Sequence, residues 1–358
     1  MTKKYRVLAI NPGSTSTKVG VYEGDEMIYE GVLRHTAEEI AKFDGILAQA
    51  PMRMKLMKKL LADENIDLNT MDAFVGRGGI VKPMLSGVYT VSDKLLHDLK
   101  TMPSSLRHAS ALGGIFVREL GEEYGKPAYI VDPVVVDERT EIAKMTGLPG
   151  IKRGCVFHCL NQKAVARLYS AKIGKKYNDC NFIVAHMGGG ITVGAHEKGV
   201  IIDVTDGMAG EGPFSPERVG SLPVKTVLDM VYSGKYTKEQ LYSFTAKSGG
   251  FVAHCHTNSM IDVEKAAAAG DENAKAVFDA MAYNVGKTIG EMAAVLKGKV
   301  DAVLLTGGLA YSEHFCEEIT EMVDFIAPVV RYPGESELSA LAAGAMRVLR
   351  GEESVREY

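Results

Sequence analysis

The stretch RVLAINPGSTSTKVGVY, residues 6–22, decides the fold that the sequence predicts. An apolar run leads into a turn rich in glycine and hydroxyl side chains, and apolar and polar residues then alternate from 17 to 22. This pattern predicts a strand, a tight polar turn and an antiparallel return strand. Residues 11–16 offer hydroxyl donors and backbone N–H groups, and Lys18 follows, so the turn can hold a phosphate. A hairpin without a ligand is the alternative.

A second stretch repeats this plan. Residues 182–203 read FIVAHMGGGITVGAHEKGVIID, an apolar strand, a turn of Gly188, Gly189 and Gly190, and a return strand. Asn11 and His186 end the two leading strands and lie close to half the chain length apart. Two similar halves, each with a phosphate-sized turn, predict two lobes that face one nucleotide.

Composition limits the class of protein. The 358 residues predict about two domains, and 46% hydrophobic and 24% charged residues are ordinary for a soluble globular protein. A net charge of −4 argues against nucleic acid as a partner, and no apolar run has the length that spans a membrane. The first residues lead into a strand without the apolar region of a signal peptide. Five scattered cysteines predict reduced thiols and a cytoplasmic location.

Two charged residues follow predicted strands. Arg77 lies between glycines directly after the short strand 73–75, and ligands bind at the carboxyl ends of such strands. We expect an anion contact there, because the glycines let a ligand approach closely; a surface arginine is the alternative. Asp132 ends the strand 128–131 before a proline, where it is either a metal-binding or catalytic carboxylate or a turn initiator.

Two histidines lie at predicted helix starts. His158 is placed where the positive end of a helix dipole favours an anion, and a satisfied, half-buried histidine is the alternative. His108 is either a substrate-side group or a local hydrogen-bond partner. The cysteine and histidine groups at 155–159 and 254–256 lack a second pair at zinc spacing, which argues against structural zinc.

Further features complete the organisation of the chain. Gly307 and Gly308 follow the predicted strand 300–305 and would let an adenine or ribose lie against the backbone. The loop 205–214 carries small residues and two carboxylates, which is typical of functional or mobile loops; an inert crossover is the alternative. A helical pattern covers 37–65, and a last strand is predicted over 323–330.

The motifs occur in an order that resembles the acetate and butyrate kinase family of the actin-like ATPase superfamily. Those motifs are INPGSTSTK, AHMGGGITVGA, DGMAGEGPFSP and LLTGGLAYS. The butyrate branch is resembled more closely by VGRGGIVKP, LRHASALGG, IVDPVVVDE and GCVFHCLNQKAVAR.

The resemblance implies a two-lobed actin-like ATPase fold of the α/β class. Each lobe would be a ribonuclease-H-like domain, a mixed sheet flanked by helices, with ATP in the cleft. The lobes are expected at residues 1–150 and 151–337, and residues 338–358 are expected to return to the first lobe. The family also implies a homodimer or a higher homo-oligomer.

The implied reaction joins ATP and a short-chain carboxylate to give ADP and an acyl phosphate, reversibly and with Mg²⁺. A carboxylate is already ionised at pH 7, so it needs relief from charge repulsion and in-line positioning rather than a general base. Butyrate is the expected acid, with isobutyrate or propionate as alternatives. An actin-like ATP-dependent binding or chaperone protein is the alternative from another class.

The resemblance also assigns site residues motif by motif. The phosphate and nucleotide groups would be Asn11, Ser14, Ser16, Lys18, His186, Gly188, Gly189, Gly190, Gly307 and Gly308. Arg77 would hold the carboxylate or the transferring phosphoryl group, and His158 would stabilise that phosphoryl group. The metal-associated groups would be Asn11, Glu337 and Asp132, which orients Mg²⁺ or its water shell at the reaction centre.

One segment departs from the acetate kinase pattern. Acetate kinases carry a second catalytic arginine in a run resembling MGTR, whereas residues 208–211 read MAGE, so Gly210 or Glu211 stands in its place. Arg218 is the nearest replacement and a possible substrate-side group. The departure favours the butyrate branch over acetate.

Overall fold

The computed structural model describes residues 4–103 and 108–358 and divides into two compact units. The first unit comprises Met1–Asp137 and Ser336–Tyr358, and the second comprises Glu138–Glu335. The chain enters the second unit before residue 150, because residues 138–150 bond within that unit. The Thr140 N–H donates to the Ile202 carbonyl at 3.1 Å, and Arg139 Nη1 donates to the Gly154 carbonyl at 2.7 Å.

The first unit holds a six-stranded mixed sheet of order β3-β2-β1-β4-β6-β5. Its strands are β1 Arg6–Pro12, β2 Ser16–Glu23, β3 Glu26–Arg34, β4 Ala73–Gly76, β5 Val88–Thr90 and β6 Ala128–Val131. The first three form an antiparallel meander, as the alternating pattern predicts. Strands β4 and β6 run parallel to β1, so three neighbouring strands end at the same edge.

Helices cover both faces of this sheet. They are α1 Ala37–Ile40, α2 Ala50–Asp63, α3 Asp93–Thr101, α4 Ala111–Tyr124 and, at the end of the chain, α12 Glu337–Leu349. Leu8 and Ile10 pack with the methionines of α2, so the methionine-rich stripe belongs to the core. On the opposite face Gly344 of α12 lies directly against Val131, and burial on both faces suits parallel strands.

The predicted helix over 37–65 is interrupted. Helix α1 ends at Ile40, a 3₁₀ turn spans Leu47–Gln49, and α2 begins at Ala50 with Pro51 in its first turn. Proline is tolerated only in the first turn because it lacks an N–H group, so the helix starts here instead of running through.

The second unit repeats the strand plan. Its strands are β7 Asn181–Met187, β8 Ile191–Glu197, β9 Val200–Val204, β10 Ala302–Gly307 and β11 Val329–Pro333, in the order β11-β10-β7-β8-β9. Again a three-stranded meander is followed by two strands parallel to its first member. The repeated plan agrees with the duplication that the two glycine-rich stretches predict.

Helices of the second unit enclose a separate core. They are α5 Cys159–Lys172, α6 Val224–Tyr232, α7 Lys238–Ala246, α8 Gly250–Cys255, α9 Met260–Ala268, α10 Glu272–Val295 and α11 Glu313–Val323. The strand expected over 323–330 is wrong at its start, because Phe315, Ile319 and Val323 are buried at helical spacing in α11. None of the helices in the described ranges is long and apolar enough for a membrane crossing.

Candidate active site

In the first unit, chemistry-bearing residues meet where the parallel strands end. Asn11 lies near the end of β1, Arg77 follows β4 and Asp132 follows β6. Helix α12 begins at Glu337 on the same edge. The Asn11 side-chain amide donates to Glu337 Oε2, and Arg77 Nη1 forms an ion pair with Glu337 Oε1. The structure therefore brings together Asn11, Arg77 and Glu337, which the sequence places far apart.

The glycines around Arg77 pack against helix α4. A Cβ at Gly76 would lie 2.6 Å from the Gly113 carbonyl oxygen, and one at Gly79 would lie 2.7 Å from Ala111 Cβ. From the sequence we expected these glycines to admit a ligand. In the structure they are required by the packing of α4. They allow α4 to approach β4, and the Arg77 N–H donates to the Ile10 carbonyl at 3.2 Å. Arg77 is thereby held firmly at the strand end.

Asp132 is almost fully buried, with 1% of the residue exposed. Its Oδ1 accepts a hydrogen bond from the Gly87 N–H at 2.7 Å, and its own N–H donates to the Gly87 carbonyl at 3.0 Å. Its φ of 39° is uncommon for a residue other than glycine, and such strain clusters at functional sites. A turn from Pro133 to Val136 follows, so the position also begins a turn.

The first glycine-rich turn is held from within by Arg53, which is fully buried on α2. Its Nη1 donates to the Gly13 carbonyl at 2.8 Å and its Nη2 donates to the Ser14 carbonyl at 2.8 Å. The Ser16 carbonyl accepts a further bond at 3.1 Å, and Gln49 accepts from Nε and Nη2. Burial lowers the pKa of Arg53. Sequence reasoning missed this residue; an arginine inside an apolar helical stripe was the signal.

The polar side chains of the first glycine-rich turn are at least partly exposed. Lys18 is exposed and sits directly across the hairpin from Asn11. Residues that face each other across an antiparallel pair project to the same side, so Lys18 lies beside Asn11. Ser14 is exposed and Ser16 is partly exposed.

His108 forms a local hydrogen bond, which is one of the two roles that the sequence left open. Its Nδ1 accepts from the Ser110 N–H at 3.2 Å and lies 3.1 Å from Ser110 Oγ, one residue before α4 begins. Leu106 and Arg107, which belong to the motif LRHASALGG, lie outside the described residues.

In the second unit, β7, β10 and β11 end side by side, and His186 lies at the end of β7. Its ring stacks on that of His158, with centroids 3.7 Å apart and an interplanar angle of 11°. His186 is 1% exposed, and His158 is half-buried just before α5. The Nε2 of His186 lies 3.2 Å from Glu335 Oε1, but the alignment is not that of a hydrogen bond. The sequence predicts both histidines but not their stacking.

Residues 215–218 bind the turn of Gly188, Gly189 and Gly190. Ser215 Oγ donates to the Gly189 carbonyl at 2.7 Å, and the Glu217 N–H donates to the same oxygen at 3.3 Å. Within the turn, the Gly188 N–H donates to the Gly190 carbonyl at 3.0 Å. Three hydrogen bonds therefore support the conformation of this turn.

Arg218 lies directly against this turn. A Cβ at Gly190 would overlap its guanidinium, and Arg218 Nη1 donates to the Gly207 carbonyl at 2.6 Å. Burial lowers the pKa of Arg218, and Glu217 and Asp206 partly oppose that shift. By contrast, Glu211 binds Arg153 and therefore belongs to a separate ion pair.

The two glycines at the end of β10 have different roles. Gly307 has a φ of 92°, and a Cβ there would collide with the backbone of Met187, so this glycine is needed for packing. Gly308 is exposed, and a Cβ there would meet nothing within 4 Å. Only Gly308 leaves open space beside the backbone.

Within residues 4–103 and 108–358, no three His, Cys, Asp or Glu side chains group as a metal site. All five cysteines are free thiols. Mg²⁺ is usually held by one or two carboxylates together with substrate phosphates. The oxygen donors of Glu337, Asp132 and Asn11 fit that donor chemistry.

Comparisons with known proteins identify the family of this chain. Residues 142–327 match the model of the acetokinase family. The chain is 49% identical over 354 residues to "Butyrate kinase 1" of Clostridium acetobutylicum, covering 99% of each chain. The chain belongs to the acetokinase family.

Solved structures show the fold of this acetokinase family member. The crystal structure of Porphyromonas gingivalis acetate kinase matches with a TM-score of 0.79 at 18% identity, over 96% of this chain and 100% of that one. A propionate kinase from Francisella tularensis matches with a TM-score of 0.75 at 16% identity, over 94% and 98% of the two chains. The predicted actin-like α/β fold, with mixed sheets flanked by helices, is confirmed.

Proposed function

We propose that the chain transfers the γ-phosphoryl group of ATP to butyrate and forms ADP and butyryl phosphate reversibly. The main support for this proposal is the 49% identity, over 99% of both chains, to a relative named butyrate kinase. Kinases for isobutyrate or propionate remain close alternatives, although the matching propionate kinase shares only 16% identity. Family membership leaves the binding or chaperone alternative without a supporting observation.

In the first unit, we assign Arg77 to the anionic carboxylate or the transferring phosphoryl group. Its ion pair with Glu337 supports this role, since it holds the guanidinium in one orientation at the strand end. Asn11, Ser14, Ser16 and Lys18 would contact phosphate oxygens, since they belong to the polar turn of residues 11–16 or follow it directly. No base is assigned, because the acceptor carboxylate is already ionised.

In the second unit, we assign the glycine turn and His186 to the nucleotide phosphates and His158 to the transferring phosphoryl group. The stacking of the two rings supports a shared task. Arg218 is assigned as the replacement for the second arginine of acetate kinases, since its guanidinium lies against Gly190. Gly308 would admit the adenosine, with Gly307 holding the strand end.

Asp132, Glu337 and Asn11 are the residues that would hold Mg²⁺ or its water shell. When bound, the cation would screen the phosphate charge that repels the incoming carboxylate. The residues themselves keep their own tasks: Glu337 orients Arg77, and Asp132 remains fixed by the Gly87 amide.

We further propose a homo-oligomer in the cytoplasm. Helix α6 supports an interface, because none of its residues is buried although Val224, Leu228 and Tyr232 are large and apolar. The free thiols agree with a reducing compartment. Light scattering of the purified protein tests the oligomer.

The test of the function is a hydroxamate trap for acyl phosphate with ATP, Mg²⁺ and unbranched and branched acids of two to six carbons. Butyrate should give the highest kcat/KM. Arg77→Ala should lower kcat by about 10²–10³-fold, as loss of a transition-state contact does, while ATP binding changes far less. Failure of every acid to yield a hydroxamate would overturn the proposal.

A further inference from the structure

Behind the stacked histidines lie two amides in the first turn of α5, Asn161 and Gln162. They follow His158 at three and four residues, the spacing that puts side chains on one helix face. Asn161 is 3% exposed and Gln162 is fully buried. Each amide leads to one of the two rings, and in the structure the NH₂ group of each amide faces a threonine hydroxyl.

The hydrogen bonds that begin at Gln162 determine the tautomer of His158. Gln162 Nε2 lies 3.1 Å from the Thr192 carbonyl and 3.0 Å from Thr192 Oγ1. A carbonyl only accepts, so the amide NH₂ group faces Thr192 and donates to both oxygens. The hydroxyl proton of Thr192 then remains for His158 Nδ1, which lies 3.0 Å from Oγ1. A fully buried hydroxyl would otherwise keep an unpaired donor, which is costly. His158 Nδ1 is therefore an acceptor.

The hydrogen bond of the other amide atom, Gln162 Oε1, agrees with this orientation of the amide. Gln162 Oε1 lies 3.1 Å from His196 Nε2, so that nitrogen carries the proton and donates. Tyr177 OH lies 2.8 Å from His196 Nδ1 and donates to it. Burial, together with the charges of Lys163 and Arg167, lowers the pKa of His196 well below its usual value, so the ring is neutral. A neutral ring suits one donor and one acceptor.

The hydrogen bonds that begin at Asn161 determine the tautomer of His186 in the same way. Thr306 Oγ1 donates to the Gly334 carbonyl at 3.2 Å, so its single proton is used. Asn161 Nδ2 lies 3.2 Å from that Oγ1 and donates to it. The same NH₂ group lies 2.8 Å from His186 Nδ1 and donates there as well. Nδ1 of His186 is also an acceptor.

We propose that Asn161 and the Gln162–Thr192 pair are positioning residues that hold His158 and His186 as neutral imidazoles protonated at Nε2. An imidazole with an unprotonated Nδ1 carries its proton on Nε2. Each ring can then donate an Nε2–H to an anionic oxygen without becoming an imidazolium. Neutral rings also stack at 3.7 Å without the repulsion of two like charges. The identity of the anion, a phosphoryl group, rests on the proposed function.

Ring nitrogens labelled with ¹⁵N-histidine report the tautomer directly. Long-range ¹H–¹⁵N correlation spectra of the full chain at pH 7.5, without ligand, should show both rings protonated at Nε2 only. His158→Gln and His186→Gln each remove one set of signals and so assign the spectra. A proton on Nδ1 of either ring in the wild-type protein would overturn the proposal, whatever the protein catalyses.

Two variants separate the branches, and each controls for the other. Thr192→Val removes the hydroxyl, so His158 should become a mixture of tautomers while His186 is unchanged; Thr192→Ser should restore the wild-type pattern. Asn161→Asp presents an acceptor to His186, which should gain a proton on Nδ1 while His158 is unchanged. Unaltered rings in both variants would contradict the proposal. Circular dichroism and the remaining histidine signals report whether each variant folds.

Kinetics test whether the tautomer matters for turnover. Thr192→Val and Asn161→Asp should each lower kcat by about tenfold or more with little change in the KM for ATP, and Thr192→Ser should recover most of the kcat. Altered rings with an unchanged kcat would overturn the catalytic part of the proposal. A wild-type protein that makes no acyl phosphate would contradict the proposed function instead, while the spectra would still decide the tautomers.

Discussion

Arg77 and Glu337 form an ion pair in which only 14% and 17% of the side chains are exposed. Asn11 donates to the other oxygen of the same carboxylate. Glu337 is the first residue of α12, so the positive end of the helix dipole also favours its charge. The closing helix of the chain thus fixes the arginine that follows β4.

Replacing Glu337 with glutamine tests this relationship. The amide keeps the shape but leaves Arg77 without its countercharge, so the guanidinium should adopt several orientations. We expect kcat for butyrate to fall by about 10–100-fold at saturating ATP. Glu123→Gln is the control, because Glu123 also forms an ion pair, with Lys58, at the end of α4 that lies away from Arg77. Equal kinetics for Glu337→Gln and wild type would remove the ion pair from the mechanism.

Arg53→Lys tests the support of the first glycine-rich turn. Lysine has its three donors on one nitrogen, so it cannot reach the carbonyls that Arg53 bonds separately through Nη1 and Nη2. Leaving buried acceptors unpaired should lower the free energy of unfolding by about 2–4 kcal/mol and raise the KM for ATP. Exposed Lys55 on the same helix supplies the control, Lys55→Gln. Thermal unfolding and steady-state kinetics that match the control would refute the role of Arg53.

Gly190→Ala tests the contact between the second turn and Arg218. The added methyl group would overlap the guanidinium, so either the turn or the arginine must move. We expect kcat to fall by at least about tenfold. Gly290→Ala on α10 is the control, because its methyl group meets open space and a helical glycine replaced by alanine gains roughly 0.5–1 kcal/mol. An active Gly190→Ala protein with unchanged kinetics would separate Arg218 from catalysis.

The sequence predicted the two hairpins because apolar alternation and glycine turns are local signals. It also predicted Asn11, Arg77, Asp132 and His186 at strand ends, where parallel neighbours concentrate ligand-binding groups. It missed the reason for Gly76, because the close approach of α4 comes from Gly113, a residue distant along the chain.

Supporting residues were harder to predict than the residues they support. Arg53 lies within the apolar stripe of α2, yet only the structure shows that three backbone carbonyls of the hairpin turn converge on it. Asn161 and Gln162 did carry a signal, their helical spacing from His158. Their bonding direction depends on Thr192 and Thr306, which only the fold brings near.

Stability should decrease in mild acid. Burial lowers the pKa of His35, with Arg53 adding to the shift, and burial lowers that of His196 well below its usual value. Unfolded histidines bind protons below about pH 6.5, so the unfolded state gains protons that the folded state does not. The stabilisation is complete above that pH and is lost as the pH falls from there through the folded-state pKa values.

Urea unfolding followed by circular dichroism at pH 7.5 and 5.5 measures this loss, since the chain has no tryptophan. The free energy of unfolding should be smaller at pH 5.5, and His35→Asn should reduce the difference. A difference that is the same in His35→Asn and wild type would show that His35 does not contribute.

Phosphoryl transfer to a short-chain carboxylate can be tested by measuring ADP and butyryl hydroxamate in the same reaction. With ATP, Mg²⁺, butyrate and hydroxylamine, we expect the two products to appear in equal amounts and both to depend on butyrate. ADP release without butyryl hydroxamate, at a rate indifferent to butyrate, would contradict it.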